Sequence, residues 1–308
     1  MTNSERISLL DRFSRLRVDP DPALGMAPHK ALLLLALLEV VEERLPMDGV
    51  ILLNADLVVR FQNFWPIVAS RRKNRGDIRM PFHALANDRV WEVFDAEGRS
   101  SKARHLSVRA VLLPDVLAAF TEPRFRADLR GLLVSRYFPL DEQVALRAAL
   151  GLEGRPETPD LVAYEAAAPV QYSASRQLGR SARFRIDVVT TYRFTCALTG
   201  YRLTTVDQAG IVEAAHIQAF SKGLIDAPEN GLALTPTAHA LFDMGLWSAT
   251  DDLRVVVKPE PVFEETGPPG GFSLRQLDGR PLILDPCVRL RPDPRRLAWH
   301  RQCHGFVS

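Results

Sequence analysis

Hydrophobic positions along the first half of the chain recur at helical spacing. Ile7, Leu10, Phe13 and Leu16 stand three or four apart, which predicts a short amphipathic helix over 4–17. Asp19 to Pro22 breaks the chain, and Pro28 opens a second helix, P-H-K-A-L-L-L-L-A-L-L-E-V-V-E-E-R-L. That segment is apolar nearly all round, so its middle is predicted to be buried. Asn54 is placed to cap a third helix that turns Leu57, Phe61, Phe64 and Trp65 inward. A basic run, S-R-R-K-N-R-G-D-I-R, leads into M-P-F-H-A-L and then V-W-E-V-F, which alternates like a strand. Residues 113–150 carry further helical patterns, ending at Gly151.

From Leu152 to about Gly179 the periodicity gives way to Gly, Pro, Glu, Ser and Ala, the composition of a linker with room for a short ordered piece. A short helix over Arg183–Tyr192 feeds C-A-L-T-G, followed by I-V-E-A-A-H-I and E-N-G-L-A-L-T-P-T-A-H-A-L-F-D-M-G-L-W. R-V-V-V, F-S-L and P-L-I-L then read as strands, and R-R-L-A-W-H-R-Q-C-H-G-F as a terminal helix. The patterns predict an α+β protein of two domains, a mainly helical one over 1–151 and a mixed one over 181–308, joined by a linker over 152–180. A length of 308 residues agrees with two domains.

Composition narrows the class. A formal net charge of +2 does not announce nucleic-acid binding, which would have to use local basic patches. The start, M-T-N-S-E-R, lacks a signal-peptide core, and the longest apolar run, Ala31–Leu38, is too short to span a bilayer. Cys196, Cys287 and Cys303 are odd in number and widely spaced, which points to reduced thiols in a cytoplasmic setting rather than a disulfide framework. With no C-x-x-C pair, no structural zinc is expected.

The candidate chemistry lies between Cys196 and Trp247. His216, Asn230 and His239 follow at intervals of 14 and 9 residues, with Asp243 one helical turn after His239. These residues can bind a metal or move a proton, and a neutral imidazole at His216 can act as a general base. Asn230, on a facing strand, can hydrogen-bond to the ring or brace the backbone so that the ring points correctly. His239 and Asp243 share a helix face, and their N/O donors suit one divalent ion such as Mg²⁺ or Mn²⁺. Each residue alone has an ordinary explanation: a structural strand His, an Asn-Gly turn, a turn-initiating Asp. Their combination among apolar runs is what core packing does not explain.

The spacing, with C-x-x-T-G, E-A-A-H-I, N-G-L-x-L and H-x-L-F-D-x-G-L around it, resembles the HNH nucleases of bacterial restriction-type proteins, closely over roughly 183–260. The resemblance implies a ββα-metal domain: a hairpin and a helix around one divalent ion. It makes His216 and Asn230 catalytic, and His239 and Asp243 metal ligands. Many HNH enzymes carry an Asp or His ligand just before the base, where this chain has Ala215. Glu213 is a substitute ligand, a ligand for bound water, or a solvated strand residue, and Cys196 is expected to pack beneath the hairpin.

The first domain resembles the sulfur-binding domains of McrA-type restriction enzymes, which recognise phosphorothioate-modified DNA and are often fused to an HNH nuclease. The resemblance rests on P-H-K-A-L-L-L-L-A-L-L, R-M-P-F-H-A-L and V-W-E-V. It implies DNA contacts from His29 and Lys30 and a sulfur pocket from Met80, Pro81 and Ala84. Arg71, Arg72, Lys73, Arg75 and Arg79 are candidates to hold neighbouring phosphates. Met80 stands where the family commonly has Tyr, which leaves a different modification or ordinary duplex open. The structural alternative is a core strand at P-F-H-A-L and a solvated basic loop.

The sequence therefore reads as a modification-dependent DNA endonuclease whose partner is double-stranded DNA. Cutting both strands would need either two protomers, as in a homodimer, or two sequential nicks, and the sequence does not choose; no membrane partner is expected. The alternatives are a non-catalytic DNA-binding protein with a degenerate HNH module, and a nuclease acting on unmodified nucleic acid.

Overall fold

The apolar segment after Pro28 forms the centre of the first of two units. In the computed structural model the described residues are 1–44, 48–71, 76–153, 158–218, 226–268, 270–286 and 290–306. Unit 1 comprises Met1–Arg183 with Thr205–Ala209, and unit 2 comprises Phe184–Thr204 with Gly210–Ser308. The fold is α+β, as the patterns predict. Among the described residues no helix is long and apolar enough to cross a membrane.

Unit 1 begins with α1 (Asn3–Ser14), which the Thr2 hydroxyl caps by accepting the Glu5 N–H at 3.2 Å. Leu9 and Phe13 of this helix are buried, whereas Ile7 is exposed. A short hairpin, β1 (Pro20–Asp21) and β2 (Gly25–Met26), precedes α2 (His29–Glu43). Every residue from Ala31 to Leu38 in α2 has 0% exposure, so this helix is covered on all sides, as its sequence requires. Its cover includes α3 (Ala55–Val68) and α4 (Arg79–Ala84). Asn54 caps α3 through a 3.1 Å bond from the Leu57 N–H, as expected.

Strands β3 (Val50–Leu52), β4 (Trp91–Phe94) and β5 (Arg109–Leu112) make an antiparallel sheet in the order β3-β5-β4. The region 113–150 contains α5 (Pro114–Phe120), α6 (Pro123–Tyr137) and α7 (Leu140–Ala149). Helix α6 packs on both α1 and α2.

The stretch with linker composition differs from its sequence pattern. It contains α8 (Pro159–Ala167) and the start of α9 (Pro169–Thr191), so the short helix expected at 183–192 is the end of a 23-residue one. The reason is tertiary. Leu161 and Tyr172 pack with Val144, and Gly179 admits the Ala145 carbonyl so closely that a Cβ there would collide with it.

Unit 2 takes over α9 from Phe184 onward. Its elements are β6 (Glu213–His216), β7 (Gly231–Leu234), α10 (Pro236–Asp243), β8 (Trp247–Ala249), β9 (Val255–Val257) and α11 (Pro294–Cys303). The two hairpins, β6-β7 and β8-β9, are separate two-stranded antiparallel sheets. R-V-V-V supplies β9, but F-S-L and P-L-I-L do not form strands. Leu274 leads into a 3₁₀ turn over Arg275–Leu277, and Pro281, which has no N–H to give a ladder, makes only an isolated bridge to Arg254. The core gathers Cys196, Ala215, Leu232, Phe242 and Trp247.

His300 of α11 fastens this terminal helix to the hairpin-and-helix core. Its ring stacks on Phe242 with centroids 3.8 Å apart. Its Nε2 lies 3.2 Å from the Phe242 carbonyl, which can only accept, so Nε2–H donates and Nδ1 accepts from the Ser248 hydroxyl at 2.9 Å. Burial, helped by His304 and Arg301, lowers the His300 pKa from 6.5 to about 4. Because the folded value is depressed, the neutral ring contributes about 3 kcal/mol that is complete above the unfolded value and is lost as pH falls toward the folded one. Urea unfolding of the full chain should therefore show stability falling between about pH 6.5 and about pH 4. His300→Phe should be less stable at neutral pH and show a shallower acid loss; an unchanged slope would exclude His300 as the cause.

Candidate active site

The local sequence builds the site from a knuckle, a hairpin and a helix. In C-A-L-T-G, Gly200 adopts φ +71°, which lets the Cys196 N–H reach the Tyr201 carbonyl at 2.9 Å. The Ala197 N–H then bonds the Ala233 carbonyl of β7 at 2.8 Å, seating the knuckle on the hairpin. Cys196 is buried there, and its Sγ accepts the Thr235 N–H at 3.4 Å at the start of α10. In the β6-β7 register, Glu213 faces Leu234 and His216 faces Gly231. A Cβ at Gly231 would run into Val188 and Phe184, so the glycine of N-G-L is required by the close approach of α9.

His216 stacks on Phe184 with centroids 3.9 Å apart and planes 9° from parallel. Its Nε2 lies 3.3 Å from Asp226 Oδ1. Burial lowers the His216 pKa, with His239 and Arg185 acting in the same direction, while the hydrogen bond and charge of Asp226 oppose them. The ring is therefore neutral at neutral pH, the form a general base needs.

Asn230 is 1% exposed and braces the chain just beyond His216. Its Oδ1 accepts the Gln218 N–H at 2.9 Å, and its Nδ2 donates to the Gln218 carbonyl at 3.0 Å. The backbone carbonyl of Asn230 also accepts the Ile217 N–H at 2.8 Å.

His239 stands between two carboxylates. Its Nδ1 is 3.0 Å from Glu213 Oε2, and its Nε2 is 3.5 Å from Asp243 Oδ2. A carboxylate only accepts, so the close contact assigns Nδ1–H to Glu213 and leaves the Nε2 lone pair facing Asp243. Two acceptors at that separation suit neighbouring positions around one cation, and an imidazole and a carboxylate are a usual donor pair for a divalent ion. Glu213 addresses the other ring nitrogen. Among the described residues no three His, Cys, Asp or Glu side chains are already grouped as a metal cluster. Ala215 is fully buried in the apolar core, a packing position.

Sequence reasoning did not find Asp226, Phe184 or Arg185. Phe184 and Arg185 lie in the helical pattern at 183–192, but nothing local marks which side chains meet the hairpin. Asp226, in D-A-P-E-N, reads as turn chemistry.

The residues expected to read DNA lie in unit 1, and several are engaged inside it. Lys30 Nζ pairs with Asp88 Oδ2 at 2.6 Å and donates to the Arg17 carbonyl at 2.7 Å, both in partly or fully buried surroundings. The Arg71 side chain pairs with Glu142 at 2.7 Å and donates to the Met26 carbonyl at 2.7 Å. Both side chains are thus engaged within unit 1. The His29 ring lies 4.7 Å from that of Trp65. Arg79 pairs with Asp207 at 3.2 Å and donates to the His105 carbonyl at 2.9 Å. Met80, Pro81 and Ala84 share α4, with Pro81 buried and the other two half-buried. Arg72, Lys73 and Arg75 lie outside the described residues.

A strand-paired histidine, an asparagine bracing its backbone and a helix bearing a second histidine define a hairpin-and-helix histidine site. An HNH endonuclease family model matches residues 196–248, so the chain carries an HNH endonuclease domain over that span. Among solved structures, a modification-dependent TagI restriction endonuclease is 27% identical over 40% of this chain and 37% of that one, at a TM-score of 0.31. A search of the curated proteins finds no match.

Asn230→Ala should destabilise unit 2 by about 1–3 kcal/mol, because it removes both side-chain partners from the half-buried Gln218 peptide groups. Asn230→Asp keeps the acceptor and loses the donor, so its loss should be smaller at neutral pH. Thermal unfolding of the three proteins gives the order, and a stable alanine variant would show that Asn230 is not a brace.

Proposed function

We propose that the chain is a modification-dependent DNA endonuclease acting in restriction, with unit 2 as the cutter and the first domain as the reader. The observation that supports it best is the neutral, ring-stacked His216 held on a hairpin that Asn230 braces, beside the His239–Asp243 pair. In this reading His216 takes the proton of the attacking water, and Asn230 keeps the ring aimed by fixing the peptide beyond it. His239 through Nε2 and Asp243 hold one divalent ion, Mg²⁺ or Mn²⁺, and Glu213 orients His239 through Nδ1. Such an ion supplies electrostatic stabilisation of the charge that develops during phosphodiester hydrolysis. The products are 5′-phosphate and 3′-hydroxyl ends.

For the reader, the α4 residues Met80, Pro81 and Ala84 form the apolar surface offered to a modified phosphate, with sulfur the favoured modification. Sulfur is larger and more weakly hydrated than oxygen, so apolar contact favours it. His29 at the start of α2 and the basic run through Arg79 serve neighbouring phosphates.

Plasmid cleavage with Mg²⁺ or Mn²⁺ tests both halves. Unmodified, phosphorothioate-modified and cytosine-methylated plasmids are compared for the wild type and His216→Ala. Cutting of phosphorothioate plasmid alone, lost in the variant, is the expected result. Equal cutting of all three keeps the nuclease and removes the sulfur reader, and binding without cutting under either metal leaves a non-catalytic DNA-binding protein.

A further inference from the structure

We propose that Asp226 is a positioning residue for His216: its carboxylate accepts Nε2–H and so assigns the lone pair that takes the water proton to Nδ1. The proposal rests on the general-base reading of His216. The bond is 3.3 Å long, between an imidazole side chain 26% exposed and a carboxylate only 10% exposed. A carboxylate cannot donate, so an imidazole bonded to it through Nε2 carries its proton there when neutral.

The fold supplies Asp226 and Asn230 from one short segment. Pro228 opens a 3₁₀ turn over Pro228–Asn230, and the Asn230 N–H closes back on the Ala227 carbonyl at 2.8 Å. The turn that delivers Asn230 to the Gln218 peptide thus also fixes the residue beside Asp226. Both supports of His216, one through its backbone and one through its ring, arrive together. On the other side Phe184 covers a face of the ring, and its neighbour Arg185 lies close enough for its charge to be felt by Asp226 and by His216.

These groups bear on the step with opposite signs. As the water O–H bond breaks, the proton goes to Nδ1, the hydroxide oxygen bonds to phosphorus, and the bond from phosphorus to the leaving 3′-oxygen breaks, that oxygen keeping the bonding pair and taking a proton from solvent water. The imidazolium that results is favoured by Asp226 and disfavoured by Arg185 and His239. Asp226 holds the tautomer and opposes the lowering influence of Arg185 and His239; without it the half-buried ring would be a weaker base.

The test uses the full chain with ¹⁵N-labelled histidine. NMR should show His216 in the wild type with its proton on Nε2 at neutral pH. Asp226→Ala, which removes charge and acceptor, should lose that single tautomer and cleave more slowly, by a factor between about ten and the roughly 10²–10⁴ that a general base is worth. DNA binding should be unchanged. Asp226→Asn keeps the shape and loses the charge, so the acid limb of its cleavage profile should move to lower pH; Asp226→Glu should recover part of the rate. A wild-type His216 protonated on Nδ1, or an alanine variant with wild-type rate and tautomer, overturns the proposal. If the alanine variant does not fold, the asparagine variant decides, and an unmoved acid limb counts against Asp226. Cleavage that survives His216→Ala would sink the general-base reading itself, and the tautomer measurement would still report on the Asp226 contact.

Discussion

The β6-β7 pairing is the constraint on which the site depends. Its register sets His216 opposite Gly231, and only a residue without a side chain lets α9 approach that point. Through that approach Phe184 reaches the imidazole. A strand slip of one residue would turn His216 to the opposite face and break the Asn230 brace at the same time. Backbone pairing, one glycine and one buried amide thus locate an imidazole that no side-chain contact alone would hold.

The same hairpin carries the second half of the site. Glu213, three residues before His216 on β6, reaches His239 on α10, and the knuckle at Cys196 ties the start of that helix to β7. Helix α10 is short, and its placement comes from Ala238 and Phe242 in the core rather than from helix propensity. His300 then buttresses Phe242 from behind, so a buried neutral ring far along the chain supports the helix that presents His239. The exposed, chemically competent groups of unit 2 rest on apolar packing and on polar groups that are fully used internally.

Unit 1 shows a related division among its cations. Arg60, Arg130 and Lys30 are buried and Arg71 is half-buried, and all four are paired with carboxylates. Removing one partner of such a pair leaves an uncompensated charge, which costs more than the pair itself contributes. Glu142, opposite Arg71, is pushed up to about 7 by burial against the pull of the guanidinium. Lys30 and Arg71 thus serve the packing of unit 1 through these pairs.

Much of the molecule was legible in the chain. The apolar helix after Pro28, the Asn54 cap, the V-W-E-V strand and the spacing of His216, Asn230, His239 and Asp243 each follow from local periodicity or local hydrogen bonding, and the family match falls on 196–248. The helices at 159–167 and 169–191 were not legible, because Leu161, Tyr172 and Gly179 find their partners in α7 rather than in any period of their own. Nor were the partners of the charged groups: Lys30 and Asp88 are 58 residues apart, and His216 and Asp226 belong to different local patterns. Sequence determined which elements form and which chemical groups they carry, since those depend on near neighbours along the chain. Tertiary structure decided which of those groups face each other, because an ion pair or an oriented imidazole is set by distance in space.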